Sequence, residues 1–428
     1  MKHLRTLLTL YITFLVTCSD SNGQGAETSF LHRIETKGYE GLKFRLHAQI
    51  RAEIVDDSAA ARIFAVVYKE KGVGFFDNMW FRPVRSNGWK EYSVEGRIDS
   101  AGVQMIFGVI CSYNGKFFYD DIKLDVQNKN GRWTNIFSAN FDNGENPLKQ
   151  SGVDANFKAS VVKEQNADKD YCLMIEGRDV PNYGMNNRVG KFADVNGIKL
   201  YYEIYGEGTP LIVLHGNGGS IASTSAFYPD LIKKYKVIAI DSRAHGKSGD
   251  TKADLTYEQM AADVNGLLEE LKIDSVLVWG QSDGGILGLI LAMDYPKKVK
   301  RVLAFGANIQ PDSLAVYSWA ITAVQKLLKT STNPRSIKLN KLLAEQPNIP
   351  YSKLSSISAP VLLMVGDRDV IRPEHSVALF RNIPNSQLCI LPGSTHGGAR
   401  ENKDIFLLMM DKFFTKPFTM PDTKNWFQ

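Results

Sequence analysis

The stretch VWGQSDGGILG, residues 278–288, sets a polar run between two apolar ones. Val276 to Trp279 read as a buried strand and Ile286 to Ala292 as an apolar helix, so the chain must pass from extended to helical within a few residues. A turn that tight forces its central residue into strained backbone angles, and Gly280 and Gly284 remove the side chains that would clash beside it. Ser282 is left at the tip. G-x-S-x-G between a strand and a helix is the setting in which a serine hydroxyl is held out as a nucleophile.

A hydroxyl attacks poorly at neutral pH, so a base must take its proton and a third group must orient that base. The chain supplies both downstream, each after a strand-like run. LLMVGDRDVIRP (362–373) offers Asp367 and Asp369, and LCILPGSTHGG (388–398) offers His396. Leu211–Leu214, Val237–Ile240, Val276–Trp279, Val302–Phe305, Val361–Val365 and Leu388–Leu391 are short continuous apolar runs of the kind a parallel sheet buries on both faces. Met260, Val264, Leu267, Leu268 and Leu271 fall on one helical face between two of them. Strand, loop and helix in alternation predict a doubly wound α/β domain over 190–428. It is introduced by KFADVNGIKLYYEIYG (191–206), whose Asn196-Gly197 predicts a hairpin.

With serine, acid and histidine in this order, residues from about Gly190 to Phe414 resemble the α/β-hydrolase superfamily. The resemblance implies that the acid lies three residues after Gly366, which selects Asp369. Asp367 is then a turn-capping or surface carboxylate, and Asp312 the less usual alternative acid. It also implies an oxyanion hole from the backbone N–H groups of Asp283 and of Asn217 in LIVLHGNGGS (211–220), with the Asn217 amide as a helper. His215 is expected to brace that loop, and Arg243 and His245 of DSRAHGKSG (241–249) to serve as scaffold. Haloalkane dehalogenases and epoxide hydrolases are similar but carry a carboxylate where this chain has Ser282. Serine implies hydrolysis of an ester, thioester or amide through an acyl-enzyme. GQSDGGILGLILAMDYPKKVKRVLAFGAN (280–308) resembles the valacyclovir hydrolase-like (biphenyl hydrolase-like) branch. There the residue matching Asp283 helps receive the amino group of amino acid esters; the other reading is that Asp283 caps its helix. The 54 residues between Gly306 and Val361 predict a small helical cap at about 312–356, with Tyr317 and Trp319 facing substrate. This chemistry needs no cofactor and no metal, and no cysteine spacing suggests a zinc site.

The first half has another period. Phe44–Ile54, Arg62–Tyr68, Trp80–Val84, Trp89–Gly96, Gln104–Ser112 and Phe117–Val126 are strand-like runs between turn residues, which predicts an all-β sandwich over 26–178. Its segment WKEYSVEGRIDSAGVQMIFGVICSYNGKFFYDDIKLDV (89–126) resembles the closing strands of jelly-roll carbohydrate-binding modules. That implies a polysaccharide partner, with Trp80, Phe81, Trp89, Tyr113, Phe117 and Tyr119 as a stacking platform; packing inside the sheets is the alternative. Cys111 and Cys172 fall in this domain and are candidates to pair, whereas Cys389 sits in an apolar run. RDVPNYGMNNRV (178–189) is polar and turn-rich, with 179–189 as linker.

Residues 1–25 read as an export signal: Lys2 and Arg5 precede an apolar stretch from Leu7 to Val16, too short to span a bilayer. Leu15, Val16, Thr17 and Cys18 resemble a lipoprotein signal, which implies lipidation at Cys18; cleavage near Gly23 or Gly25 is the alternative. Composition is that of a globular chain, with 44% hydrophobic and 23% charged residues and a formal net charge of +5. No basic run outside the signal points to nucleic acid. The sequence thus predicts an exported serine hydrolase, most simply a carboxylesterase acting on a small ester. The competing expectation is a surface glycan-binding protein with a silent hydrolase domain.

Overall fold

A computed structural model describes residues 26–151, 156–163 and 171–426. The signal and Cys18 lie outside the described residues. The chain divides into two compact units at Asn187/Arg188.

The first unit is a β-sandwich. One sheet is ordered β4-β3-β6-β1-β9, from β1 (Glu27–Glu35), β3 (Ala60–Lys69), β4 (Val73–Asp77), β6 (Gly102–Ser112) and β9 (Lys149–Ser151). The other is ordered β10-β11-β7-β2-β5, from β2 (Lys43–Ile54), β5 (Lys90–Arg97), β7 (Gly115–Gln127), β10 (Phe157–Lys163) and β11 (Tyr171–Gly177), with β8 (Trp133–Ala139) also on β7. Period-2 alternation builds the shared core: Phe44, Leu46, Ala48 and Ile50 point inward from β2, against Ile63, Ala65 and Val67 of β3.

Four expectations for this unit are corrected. Trp80–Val84 is no strand: Met79 adopts φ 54°, a turn follows, and only Val84 pairs, with Ala61. Phe117 and Tyr119 are fully buried between the sheets because they occupy inward positions of β7, so they belong to no surface platform; Phe81 is 97% exposed. Cys111 and Cys172 are not joined. Cys111 points into the core, 3.2 Å from the Tyr119 hydroxyl, while Cys172 precedes the inward-facing Leu173 and so lies on the opposite face of its own sheet. The start of the expected linker is docked on the sandwich, where Asn114 exchanges hydrogen bonds with the Val180 backbone at 2.8 and 2.9 Å and Val180 is buried.

The second unit is an eight-stranded sheet in the order β12-β13-β15-β14-β16-β17-β18-β19. β12 (Lys191–Val195) and β13 (Ile198–Tyr205) form the expected hairpin, with Asn196 and Gly197 at φ 45° and 78°, the left-handed pair its two-residue turn requires. β14 (Thr209–Leu214), β15 (Tyr235–Ile240), β16 (Val276–Gln281), β17 (Val299–Phe305), β18 (Val361–Gly366) and β19 (Ser386–Leu391) run parallel. The helices of ten or more residues are α1 (Tyr257–Glu270), α2 (Asp283–Asp294), α3 (Ser318–Thr330), α4 (Pro334–Glu345), α5 (Pro373–Asn382) and α6 (Lys403–Thr415). α2 buries Ile286, Leu287, Leu289, Ile290 and Leu291 at the centre of the core, which fixes the end of β16 where the Ser282 turn begins. α3 and α4 follow β17 as the expected cap. No helix among the described residues is long and apolar enough to cross a membrane.

Candidate active site

Ser282 sits between β16 and α2 at φ 57°, ψ −120°, a conformation costly for a residue with a Cβ. The turn is held from both sides. Its N–H donates to Phe305 O at 2.7 Å and its carbonyl accepts from Ile286 N at 3.1 Å. The glycines are required by packing, since a Cβ on Gly280 would strike the Gly284 backbone and one on Gly284 would strike Leu214.

The loops after β18 and β19 converge on this tip. Ser282 Oγ lies 2.9 Å from His396 Nε2, and His396 Nδ1 lies 2.6 Å from Asp369 Oδ1. Asp369 is buried, and the same oxygen accepts from Ile371 N at 3.0 Å, which fixes the carboxylate edge that meets the ring. Nδ1 against a carboxylate leaves Nε2 free to accept the serine proton, as a general base requires. Asp367 lies apart: it accepts from Ser394 N at 3.1 Å and caps the histidine loop, and backbone donors at Gly393 and Ser394 hold its carboxyl below the usual range. Asp312 is exposed and caps a turn at Leu314.

Gly216 brings the Asn217 loop against Ser282; a Cβ there would lie 3.1 Å from that of the serine. Asn217 and Asp283 both border the cavity in front of the serine. The Asn217 side chain is committed elsewhere, donating to Asp283 Oδ2 at 3.0 Å and to Leu339 O of α4 at 3.2 Å, so it is not the substrate helper expected. Asp283 is fully buried, and burial pushes its carboxyl up to about 6, partly offset by Asn217 and Tyr257.

The cavity holds about 680 Å³, within the range of pockets for compact organic ligands. Its roof is α3 and the turn before it: Val316, Trp319, Ala320, Ala323 and Val324 recur at helical spacing, with Ile321 and Gln325 beside them. Tyr317 is not part of it. The Tyr317 backbone is pinned to Val370 O and its ring carries the Arg372 guanidinium at 5.3 Å, which turns the side chain away.

The expected scaffold residues occupy buried networks. His215 donates from Nδ1 to Gly216 O at 2.7 Å and accepts at Nε2 from Ser242 N at 3.0 Å, and burial lowers it to about 4. Arg243 grips Asp263 with two 2.7 Å bonds. His245 donates to Arg243 O and is lowered by burial to about 3. Three supports went unread in the sequence. Gln281 Nε2 donates to His396 O at 3.1 Å, Glu401 accepts from the Thr395 N–H at 2.7 Å, and His375 bridges Ile309 N and the Tyr351 hydroxyl. Only Gln281, beside Ser282, had a positional signal.

Sheet order, strained serine turn and cap give the second unit the α/β-hydrolase fold, and the sequence family described as alpha/beta hydrolase fold matches residues 209–330. The chain is similar to the serine hydrolase BPHL of Mus musculus, 27% identical over 248 residues that cover 51% of this chain and 84% of that protein. It is also similar to the sn-1-specific diacylglycerol lipase ABHD11 of Xenopus tropicalis, 33% identical over 168 residues, 37% of this chain and 51% of that one. Among solved structures, the enol-lactonase of Burkholderia xenovorans LB400 aligns at 21% identity and a TM-score of 0.46, covering 53% of this chain and 100% of that one.

Proposed function

We propose that the protein is an exported serine hydrolase, a carboxylesterase whose nucleophile, base and acid are Ser282, His396 and Asp369. The observation that carries this reading is the 2.9 and 2.6 Å relay at the floor of the cavity. Ser282 Oγ attacks the acyl carbon while His396 Nε2 takes its proton, and the imidazolium is stabilised by the Asp369 carboxylate. The negative charge on the former carbonyl oxygen falls to the backbone N–H groups of Asn217 and Asp283; loss of one such donor typically costs about 10²–10³ in rate. The imidazolium returns the proton to the leaving alcohol, and water then cleaves the acyl-enzyme by the same steps in reverse order.

The Asp283 carboxylate at the border of the cavity supports a second feature of the substrate, an amino group beside the ester carbonyl. For the sandwich, exposed Trp80 and Phe81 support contact with polysaccharide; retention on insoluble polysaccharide after Trp80→Ala and Phe81→Ala would refute it. The hydrolase reading is tested with p-nitrophenyl acyl esters beside amino acid esters. Turnover should vanish in Ser282→Ala, and wild-type turnover that survives that change would sink the assignment. A preference for cationic esters, lost in Asp283→Asn, is the expected signature of the amino group.

A further inference from the structure

From Ser313 to Ala344 the cap contains 32 residues without one aspartate or glutamate, and five bases: Lys326, Lys329, Arg335, Lys338 and Lys341. Its two helices are attached very differently. α4 is fastened down, with Leu339 and Leu342 in the core, Lys338 on Asp250 at 2.8 Å and Lys341 on Asp254 at 2.7 Å. α3 has no buried residue at all. Lys326 and Lys329 make no ion pair among the described residues, so α3 keeps its positive charge in solvent.

The apolar stripe of α3 is also left open. Over the cavity it runs through Trp319, Ala320, Ala323 and Val324, and it continues past the cavity to Leu327. Trp319 is 63% exposed, Leu327 50%, and Leu314, just before the helix, 72%. Large exposed apolar groups on and just before the helix that lines the pocket, with lysines on the same helix, form the pattern of a helix that lies on a lipid surface. A second copy of this chain would set like charge against like charge, and a neutral glycan would leave the lysines unmatched.

We propose that α3 docks this protein on an anionic lipid surface, with Leu314, Trp319 and Leu327 entering the headgroup layer and Lys326 and Lys329 meeting lipid phosphates. The cavity mouth then faces the bilayer, so esters carried in the lipid reach Ser282 directly; this last step rests on the hydrolase reading above, whereas docking does not.

Full chain carrying Ser282→Ala is sedimented with vesicles of phosphatidylcholine alone and of equal parts phosphatidylcholine and phosphatidylglycerol, which separates docking from turnover. Binding should favour the anionic vesicles and weaken with salt. Lys326→Glu with Lys329→Glu should lower it at least about tenfold, and Leu327→Ser severalfold. In the otherwise wild-type chain the same changes should leave turnover of soluble p-nitrophenyl acetate intact. Absence of vesicle binding overturns the proposal. So does equal binding to neutral vesicles, binding unchanged in the variants, as a lipid on Cys18 alone would give, or a dimer dissolved by Leu327→Ser. Docking without any Ser282-dependent turnover would refute the hydrolase reading and leave the docking surface standing.

Discussion

Gly306→Ala is the sharpest perturbation of the proposed relay, because it alters the chemistry of none of the reacting groups yet displaces one of them. Gly306 follows β17 at φ +60°, and a Cβ there would stand 2.8 Å from His396 Cε1, 3.0 Å from Nδ1 and 3.3 Å from Asp369 Oδ2. Carbon atoms in contact settle at about 3.5–4.0 Å, so the imidazole must retreat by about 0.7 Å. It is held between Ser282 at 2.9 Å and Asp369 at 2.6 Å, and no retreat of that size preserves both bonds. Misplacement on the order of 1 Å costs about 10²-fold, so kcat/KM for p-nitrophenyl acetate should fall roughly 100-fold, about 2.7 kcal/mol of barrier. The left-handed backbone itself costs about 1–2 kcal/mol of stability once alanine is present. Gly393→Ala separates the two effects. Its φ is +63° but nothing lies within 4 Å of its Cβ position, so it should lose similar stability in urea titration and keep its rate. Activity of Gly306→Ala within about threefold of wild type, or an equal loss in Gly393→Ala, would refute the reasoning.

Further outcomes follow from the same contacts. Gln281→Met fills the volume but removes the donor to His396 O; kcat should fall about tenfold with KM and the urea midpoint nearly unchanged, and Gln281→His, which restores an N–H, should recover part of it. Asp263→Asn breaks a buried two-bond pair with Arg243 and should destabilise the domain by about 3–5 kcal/mol in urea. Asp283 has a folded-state pKa raised from 3.8 to about 6, so the folded state disfavours its charge once the pH exceeds that value. Below pH 3.8 both states are protonated and the effect is absent; it develops between 3.8 and 6 and then stays. Asp283→Asn should therefore be more stable than wild type by about 3 kcal/mol at pH 7.5 and equal to it near pH 3.5. A constant difference across that range would contradict the burial argument.

Local chemistry settled a good deal in advance. The serine turn, the Asn196-Gly197 hairpin and the six parallel strands depend on short-range backbone preference and on continuous apolar runs, which a sequence displays directly. The missed β1 at Glu27–Glu35 and the false strand at Trp80–Val84 show where such signals fail. Glu27–Glu35 mixes polar and apolar residues without clean alternation, and strand-like composition at 80–84 yields to the turn at Met79.

Only the folded chain decided how distant groups were spent. Asp367 and Asp369 stand two residues apart in one loop, yet one caps a backbone and the other meets a histidine, because successive side chains leave the turn in different directions. Asn217 has its amide taken by a carboxylate and a cap-helix carbonyl, and Tyr317 is drawn off by Arg372, partners that no spacing reveals. Period two placed Phe117 and Tyr119 on one face of β7, but which face was the interior depended on the opposing sheet. The sequence by itself determined the strand-turn-helix that presents the hydroxyl, since that is fixed by a few adjacent dihedrals. The partners of that hydroxyl, and the open cationic face of α3, were decided by tertiary packing, because they arise between segments that the chain brings together only on folding.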